Sequence, residues 1–202
     1  MTKVGILGGT FNPPHIGHLV SAAEASEQLG LDRVLLMPVF LPPHKEAHAD
    51  PGPQARLELC ELAVAGDPRL EVSSLEVDRG GPSYTVDTLR AIHAAHPEDD
   101  LTFIVGGDMA QSLPTWREPE GVLRLATLAV AEREGVERED VRERLAGLAG
   151  AERVVFFDMP RLDVSSSLLR RRVSEGRSIR HLVPDAVAER IAQRGWYRRG
   201  EP

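Results

Sequence analysis

The stretch that decides the fold is Val4-Gly5-Ile6-Leu7-Gly8-Gly9-Thr10-Phe11-Asn12-Pro13-Pro14-His15-Ile16-Gly17-His18. A short apolar run closes on two glycines, and two histidines spaced i and i+3 head a helical pattern that runs to about Gly30. The apolar run reads as a buried parallel strand. Gly8 and Gly9 are expected to form a tight turn that leaves backbone N–H groups open to a phosphate. The next helix points the positive end of its dipole at the same place and sets His15 and His18 on one face of its first turn. Together these parts make a cradle for a polyphosphate. Neither common phosphate loop fits: the Lys-Ser/Thr ending of a Walker A loop is missing, and Gly5-x-x-Gly8-Gly9 is not G-x-G-x-x-G. A bare His-x-x-His is more often an ordinary pair of histidines; the glycines before it and the helix after it reverse that reading.

Working outward, apolar runs alternate with amphipathic ones. Strands are expected at 2–8, 33–38, 70–77, 101–106, 126–131 and 153–157. Helices are expected at about 16–29, 53–65, 84–95, 117–124, 136–148, 166–175 and 184–194. This alternation makes an α/β chain with a parallel sheet wound on both faces. Residues 1–202 read as a single domain with a small helical C-terminal extension from about 160. Ligands in such a sheet sit beyond the carboxyl ends of the strands. Gly8-Gly9, Gly106-Gly107-Asp108 and Leu41-Pro42-Pro43-His44-Lys45 all fall at such ends. Residues 39–53 read as a long exposed loop of the kind that is often functional. Glu132 to Arg144 reads as a solvated, densely charged helix face. From Gly195 onward only Trp196 and Tyr197 are expected to pack back on the body.

Composition narrows the function. A net charge of −7 argues against a general affinity for nucleic acid or an anionic membrane. No apolar run approaches the roughly 20 residues that span a bilayer, and the N-terminus enters a strand with no signal peptide, so a cytoplasmic location is the expectation. The single Cys60 excludes an intrachain disulfide and a cysteine-rich metal site; its helical surroundings favour a buried structural thiol. Lysine occurs only at Lys3 and Lys45, against 22 arginines. No metal site built by the protein is expected from the histidines.

A second informative segment is Val164-Ser165-Ser166-Ser167-Leu168-Leu169-Arg170-Arg171-Arg172. Serines ahead of a helical run are good N-caps. The same hydroxyls, with helix N-terminal amides and an arginine, also suit a second phosphate site. Both readings stand on the residues alone. Asp108 and Thr85 are similarly either N-caps or ligand contacts, and Trp116 is either core or a stacking surface.

These segments resemble a known family. The histidine segment is similar to the His-x-Gly-His signature of the nucleotidyltransferases related to class I aminoacyl-tRNA synthetases. The serine segment resembles the Ile-Ser-Ser-Thr-x-Ile-Arg motif of bacterial nicotinate mononucleotide adenylyltransferases. Pro42-Pro43-His44-Lys45 and Pro82-Ser83-Tyr84-Thr85-Val86-Asp87-Thr88-Leu89 match further segments of that family. So do Phe103 to Asp108, Leu113-Pro114-Thr115-Trp116, and Leu182-Val183-Pro184 through Trp196-Tyr197. The resemblance runs in order along nearly the whole chain. Asn12 departs from the usual Asp, Ser167 from the usual Thr, and Glu134 from the usual Pro after Arg133.

The resemblance implies a Rossmann-like fold and adenylyl transfer from ATP to nicotinate mononucleotide, giving nicotinate adenine dinucleotide and pyrophosphate. It implies His15, His18 and Arg170 as catalytic residues. Gly8, Gly9, Thr10, Phe11, Gly106, Asp108, Ser166 and Ser167 would bind ATP. Asn12, His44, Lys45, Thr85, Trp116, Arg117 and Arg133 would bind the mononucleotide, Trp116 by stacking. Mg²⁺ would arrive with ATP. The attacking phosphate is an anion at neutral pH, its second pKa being about 6, so no protein base is needed. An acid pyridine should be preferred to the amide, through backbone N–H groups near Thr85 and Trp116 and charge from Arg117. The competing readings are an adenylyltransferase for nicotinamide mononucleotide or phosphopantetheine, and a silent nucleotide-binding regulator.

Overall fold

A computed structural model describes residues 1–42, 49–132 and 137–198. Six strands form one all-parallel sheet in the order β3-β2-β1-β4-β5-β6. They are β1 (Lys3–Gly9), β2 (Arg33–Pro38), β3 (Leu70–Val72), β4 (Asp100–Gly106), β5 (Thr127–Glu132) and β6 (Val154–Asp158). The order reverses between β1 and β4, so the loops leaving these neighbours diverge and open a crevice at their carboxyl ends.

Among the described residues the helices are α1 (Ile16–Leu29), α2 (Pro53–Val64), α3 (Leu75–Arg79), α4 (Thr85–Ala95), α5 (Gly107–Ser112), α6 (Pro119–Leu125), α7 (Arg138–Leu145), α8 (Ser166–Ser174) and α9 (Asp185–Arg194). Alternate strand residues feed two cores, as the pleat requires. Leu101, Phe103 and Val105 join Val86, Leu89, Leu113 and Leu123 on one face. Leu7, Leu36 and Ile104 join Ala22, Ala25 and Cys60 on the other. On α1 the buried residues are small ones, Gly17, Ser21, Ala22, Ala25 and Ser26, and this lets the helix lie close on the sheet. A third cluster joins Leu59 and Ala63 of α2 to Leu169, Ile179, Val187, Ile191 and Tyr197. It fixes the C-terminal helices beside the crevice.

The doubly wound sheet is the one expected from the alternation of patterns. The strand expected over 70–77 is only three residues long. Ser73 Oγ accepts from the Leu75 amide and Ser74 Oγ donates to Asp78 Oδ2, starting α3 instead, and β3 is an edge strand with three register pairs to hold it. The charged stretch 132–144 is not uniformly solvated: Glu132 ends β5 and pairs with Arg138, and Val141 is buried. The described part of the loop after β2 is stitched down. Phe40 N–H donates to Ser83 Oγ at 3.0 Å and Ser83 N–H to the Leu41 carbonyl at 3.1 Å.

Candidate active site

A cleft of about 860 Å³ opens where β1 and β4 diverge. One wall is the segment from Leu7 to His18; Gly106, which ends β4, and Asp108 just after it also line the cleft. Thr85, Trp116 and Arg117 border one end, and Met159 to Ser167 with Arg170 close the other.

The glycines act differently from the sequence expectation. Gly8 and Gly9 are the last residues of β1, not a turn. A Cβ on Gly8 would come within 3.2 Å of the Phe103 ring, and one on Gly9 within 3.1 Å of the Phe11 ring. They are there for close approach of aromatic rings. The turn's left-handed residue is Phe11, at φ 49°, whose buried ring meets His18 edge-on with centroids 4.9 Å apart. Gly17 has the same logic: its Cβ would lie 3.1 Å from His15 Nδ1 and Cε1.

His15 is the N-cap of α1, and His18 lies one turn in. The His15 backbone N–H donates to His18 Nδ1 at 3.1 Å. An Nδ1 that accepts carries no proton, so the neutral His18 ring keeps its proton on Nε2, a donor for the cleft that the ring lines. Burial lowers His15 to about 4 and holds His18 well below the usual histidine range, with His15 beside it adding to the effect. Both rings are therefore neutral at pH 7. Buried His15 Nδ1, facing Gly17, has no partner among the described residues.

Opposite, Ser165 caps α8 by accepting from the Leu168 amide at 3.2 Å. Ser166 Oγ donates to the Pro13 carbonyl at 2.9 Å. Arg170 donates to the Asn12 carbonyl at 2.8 Å and to Ser167 Oγ at 3.1 Å. The capped helix and the anion wall are thus one object: Ser165 caps α8, Ser166 ties it to the histidine segment, and Ser167 accepts from Arg170 within the helix. Two of the five guanidinium N–H donors are used, leaving others for a ligand oxygen.

At the other end Tyr84 is the N-cap of α4 and Thr85 its first helical residue, not the cap. Gly106 caps α5, which puts Asp108 in the first turn on the exposed rim. Trp116 is packed into the body and also faces the cleft. It is half-buried, packs edge-on to Phe103 at 6.1 Å, donates from Nε1 to Ser112 Oγ at 2.9 Å and lines the cleft. Its backbone amide is not free, since it donates to the Leu113 carbonyl at 2.9 Å; in the first turn of α4 the Asp87 and Thr88 amides donate to the Tyr84 carbonyl, which leaves those of Thr85 and Val86 by position. Arg117 stacks over the Tyr84 ring at 4.9 Å and reaches Asp87 Oδ2 at 3.1 Å. Asn12 is buried in the cleft wall, its Oδ1 accepting from Tyr197 at 2.7 Å. His44, Lys45 and Arg133 lie outside the described residues.

Two residues that support the site from behind were missed in the sequence. Arg56 is fully buried and makes four hydrogen bonds: to Asp50 Oδ1 (3.0 Å) and to the carbonyls of Thr10 (2.9 Å), Val39 (2.7 Å) and Phe40 (3.0 Å). It joins the loops after β1 and β2. A signal existed: Arg56, Cys60 and Ala63 stand at i, i+4 and i+7 on the buried stripe of α2, where an arginine needs buried acceptors. Tyr197, expected only to pack, donates its phenol into the cleft wall. Cys60 is fully buried and burial pushes its thiol up, as a structural cysteine requires.

A family model described as cytidylyltransferase-like matches residues 6–172. A protein of Thermus thermophilus named "probable nicotinate-nucleotide adenylyltransferase" is 45% identical over 196 residues, covering 97% of this chain and all of that one. Proteins with the same name in Geobacillus thermodenitrificans and Thermomicrobium roseum are 40% and 42% identical, each over 98% of this chain, with 87% and 92% of their own lengths covered. A solved structure of the Plasmodium falciparum nicotinic acid mononucleotide adenylyltransferase complexed with NaAD shares the fold, with a TM-score of 0.79 at 16% identity over 98% of both chains. The chain belongs to the cytidylyltransferase-like family, among its nicotinate-nucleotide adenylyltransferases.

Proposed function

We propose that this enzyme transfers the adenylyl group of ATP to nicotinate mononucleotide, with release of pyrophosphate. The observation that carries the reading is the convergence of His15, His18 and Arg170 on one cleft at the β1–β4 divergence. ATP would lie along Gly8 to Phe11, the histidines, Ser166 and Ser167, with Gly106 and Asp108 at a ribose. The mononucleotide would lie toward Thr85, Trp116 and Arg117, with Asn12 between the two; His44, Lys45 and Arg133 are assigned to it by resemblance. Its phosphate attacks the α-phosphorus as an anion and needs no base. What the protein supplies is position and charge stabilisation. His18 offers an Nε2–H donor and Arg170 its remaining guanidinium N–H groups to the oxygens on which charge builds.

Mg²⁺ is proposed to arrive on the triphosphate, held by phosphate oxygens and water. Among the described residues no group of three His, Cys, Asp or Glu side chains is placed to hold a metal. The histidine and serine segments that face each other offer imidazole, hydroxyl and guanidinium groups, which suit phosphates that bring their own cation. A magnesium ion there would supply charge neutralisation for the pyrophosphate, while His18 and Arg170 would hold its oxygens. Among the described residues no helix is long and apolar enough to cross a membrane.

The test is pyrophosphate release with Mg-ATP and, separately, nicotinate mononucleotide, nicotinamide mononucleotide and phosphopantetheine. The acid is expected to give the highest kcat/KM, because N–H donors at the start of α4 suit a carboxylate and would meet an amide's NH₂ unpaired. An advantage for the amide overturns the acid assignment. Release with phosphopantetheine alone overturns the pyridine reading.

A further inference from the structure

Asn12 is held at two points. Its carbonyl accepts from Arg170 at 2.8 Å, and its side-chain Oδ1 accepts from the Tyr197 phenol at 2.7 Å across 185 residues of sequence. The residue is 3% exposed and lines the cleft. An amide has one accepting end and one donating end. With Oδ1 occupied by Tyr197, the end left over is Nδ2, and no hydrogen bond from it to a protein acceptor is formed among the described residues. Because the residue lines the cleft, that is where an acceptor for Nδ2 can come from.

We infer that Tyr197 is a positioning residue that locks the Asn12 amide with its Nδ2 donor facing the cleft, where it serves a phosphate oxygen of a substrate. The inference rests on the adenylyl-transfer reading. Without the phenol the amide can rotate and turn Oδ1, an acceptor, toward a phosphate, which is repulsive. Burial also pushes the Tyr197 phenol up, so it remains a proton donor throughout the working pH range. The arrangement gives a consequence to the departure from the family's usual Asp: an anionic side chain has no donor to offer at this point, and Asn12 has one. The phosphate is that of the mononucleotide or one of ATP, and the two are separated by measuring each substrate in turn.

The experiment is a double-mutant cycle of Tyr197→Phe and Asn12→Ala in the full chain. It reads KM for ATP and for nicotinate mononucleotide, calorimetric Kd for each, and Tm. Tyr197→Phe keeps the ring packing and removes the oxygen. It should raise KM and Kd for one substrate by roughly 3- to 10-fold, the worth of one hydrogen bond, with little change for the other. Asn12→Ala should do the same to the same substrate, and Tyr197→Phe should then add nothing in the Asn12→Ala background. A lowered Tm with both KM values unchanged makes Tyr197 a packing residue and overturns the inference. Effects that multiply in the double variant overturn it equally. If Tyr197→Phe does not fold, Asn12→Ala alone decides, and unchanged KM values sink the idea. A wild-type chain that binds both substrates and releases no pyrophosphate ends the adenylyl-transfer reading, while the Kd cycle still reports on Asn12.

Discussion

The His15 and His18 rings stack with centroids 3.7 Å apart and planes inclined by 28°. Two imidazolium cations do not tolerate that spacing in a buried site, and the lowered pKa of both rings follows from burial, reinforced at His18 by its neighbour. The cleft wall therefore holds a neutral pair whose orientation is set by the hydrogen bond from the His15 amide to His18 Nδ1.

This pair makes stability depend on pH with a definite sign. Unfolded His15 takes a proton near 6.5, while the folded group resists it to about 4. Protonation thus favours the unfolded chain first, and stability falls as pH drops from about 6.5 to about 4, then levels for this group. The loss from His15 should amount to about 3 kcal/mol, and His18 acts in the same direction. Urea unfolding at intervals from pH 7 to 4 measures it. His15→Asn, which keeps a good N-cap, should flatten the slope; an unchanged slope refutes the assignment.

His18→Ala should leave the circular dichroism spectrum intact and lower kcat roughly 10²- to 10³-fold, the usual worth of a donor aimed at developing charge. Near-normal kcat would remove His18 from the catalytic role.

Arg170→Ala should impair ATP use more than mononucleotide binding, because a guanidinium fork suits phosphate oxygens. Arg171→Ala is the control, being exposed and outside the cleft lining. Calorimetry with each substrate decides; equal losses for both count against the ATP-side placement.

Trp116→Ala should raise KM for the mononucleotide by the equivalent of about 1–3 kcal/mol of stacking, with ATP affinity little changed. Because the ring also packs on Phe103, Tm should fall as well. Trp116→Phe should recover much of both. A lower Tm with an unaltered KM would leave only the packing role.

Arg56→Met should cost about 3–5 kcal/mol in chemical denaturation, the usual penalty for breaking a buried ion pair and leaving its partner charged. Asp50 and the Thr10, Val39 and Phe40 carbonyls lose their donor together. A cost below about 1 kcal/mol would mean that these loops hold without it.

The sequence alone was enough for the doubly wound sheet, for most element boundaries, and for the two sides of the cleft marked by Gly8–His18 and Ser165–Arg170. These features are local: apolar runs of strand length, amphipathic periods and helix-start chemistry are written in consecutive residues. What only the tertiary structure decided is what lies across the chain from each of them. Gly8 and Gly9 are small because Phe103 and Phe11 press on them, and the left-handed residue is Phe11. The strand expected through residue 77 stops at Val72, where the Ser73 hydroxyl takes the Leu75 amide at a thinly paired edge. Arg56 reads in sequence as one more helix arginine, and Tyr197 as a terminal ring. Their roles depend on acceptors brought to them over 6 to 46 residues for Arg56 and 185 for Tyr197. A buried donor must find an acceptor, but which one it finds depends on how the chain closes on itself.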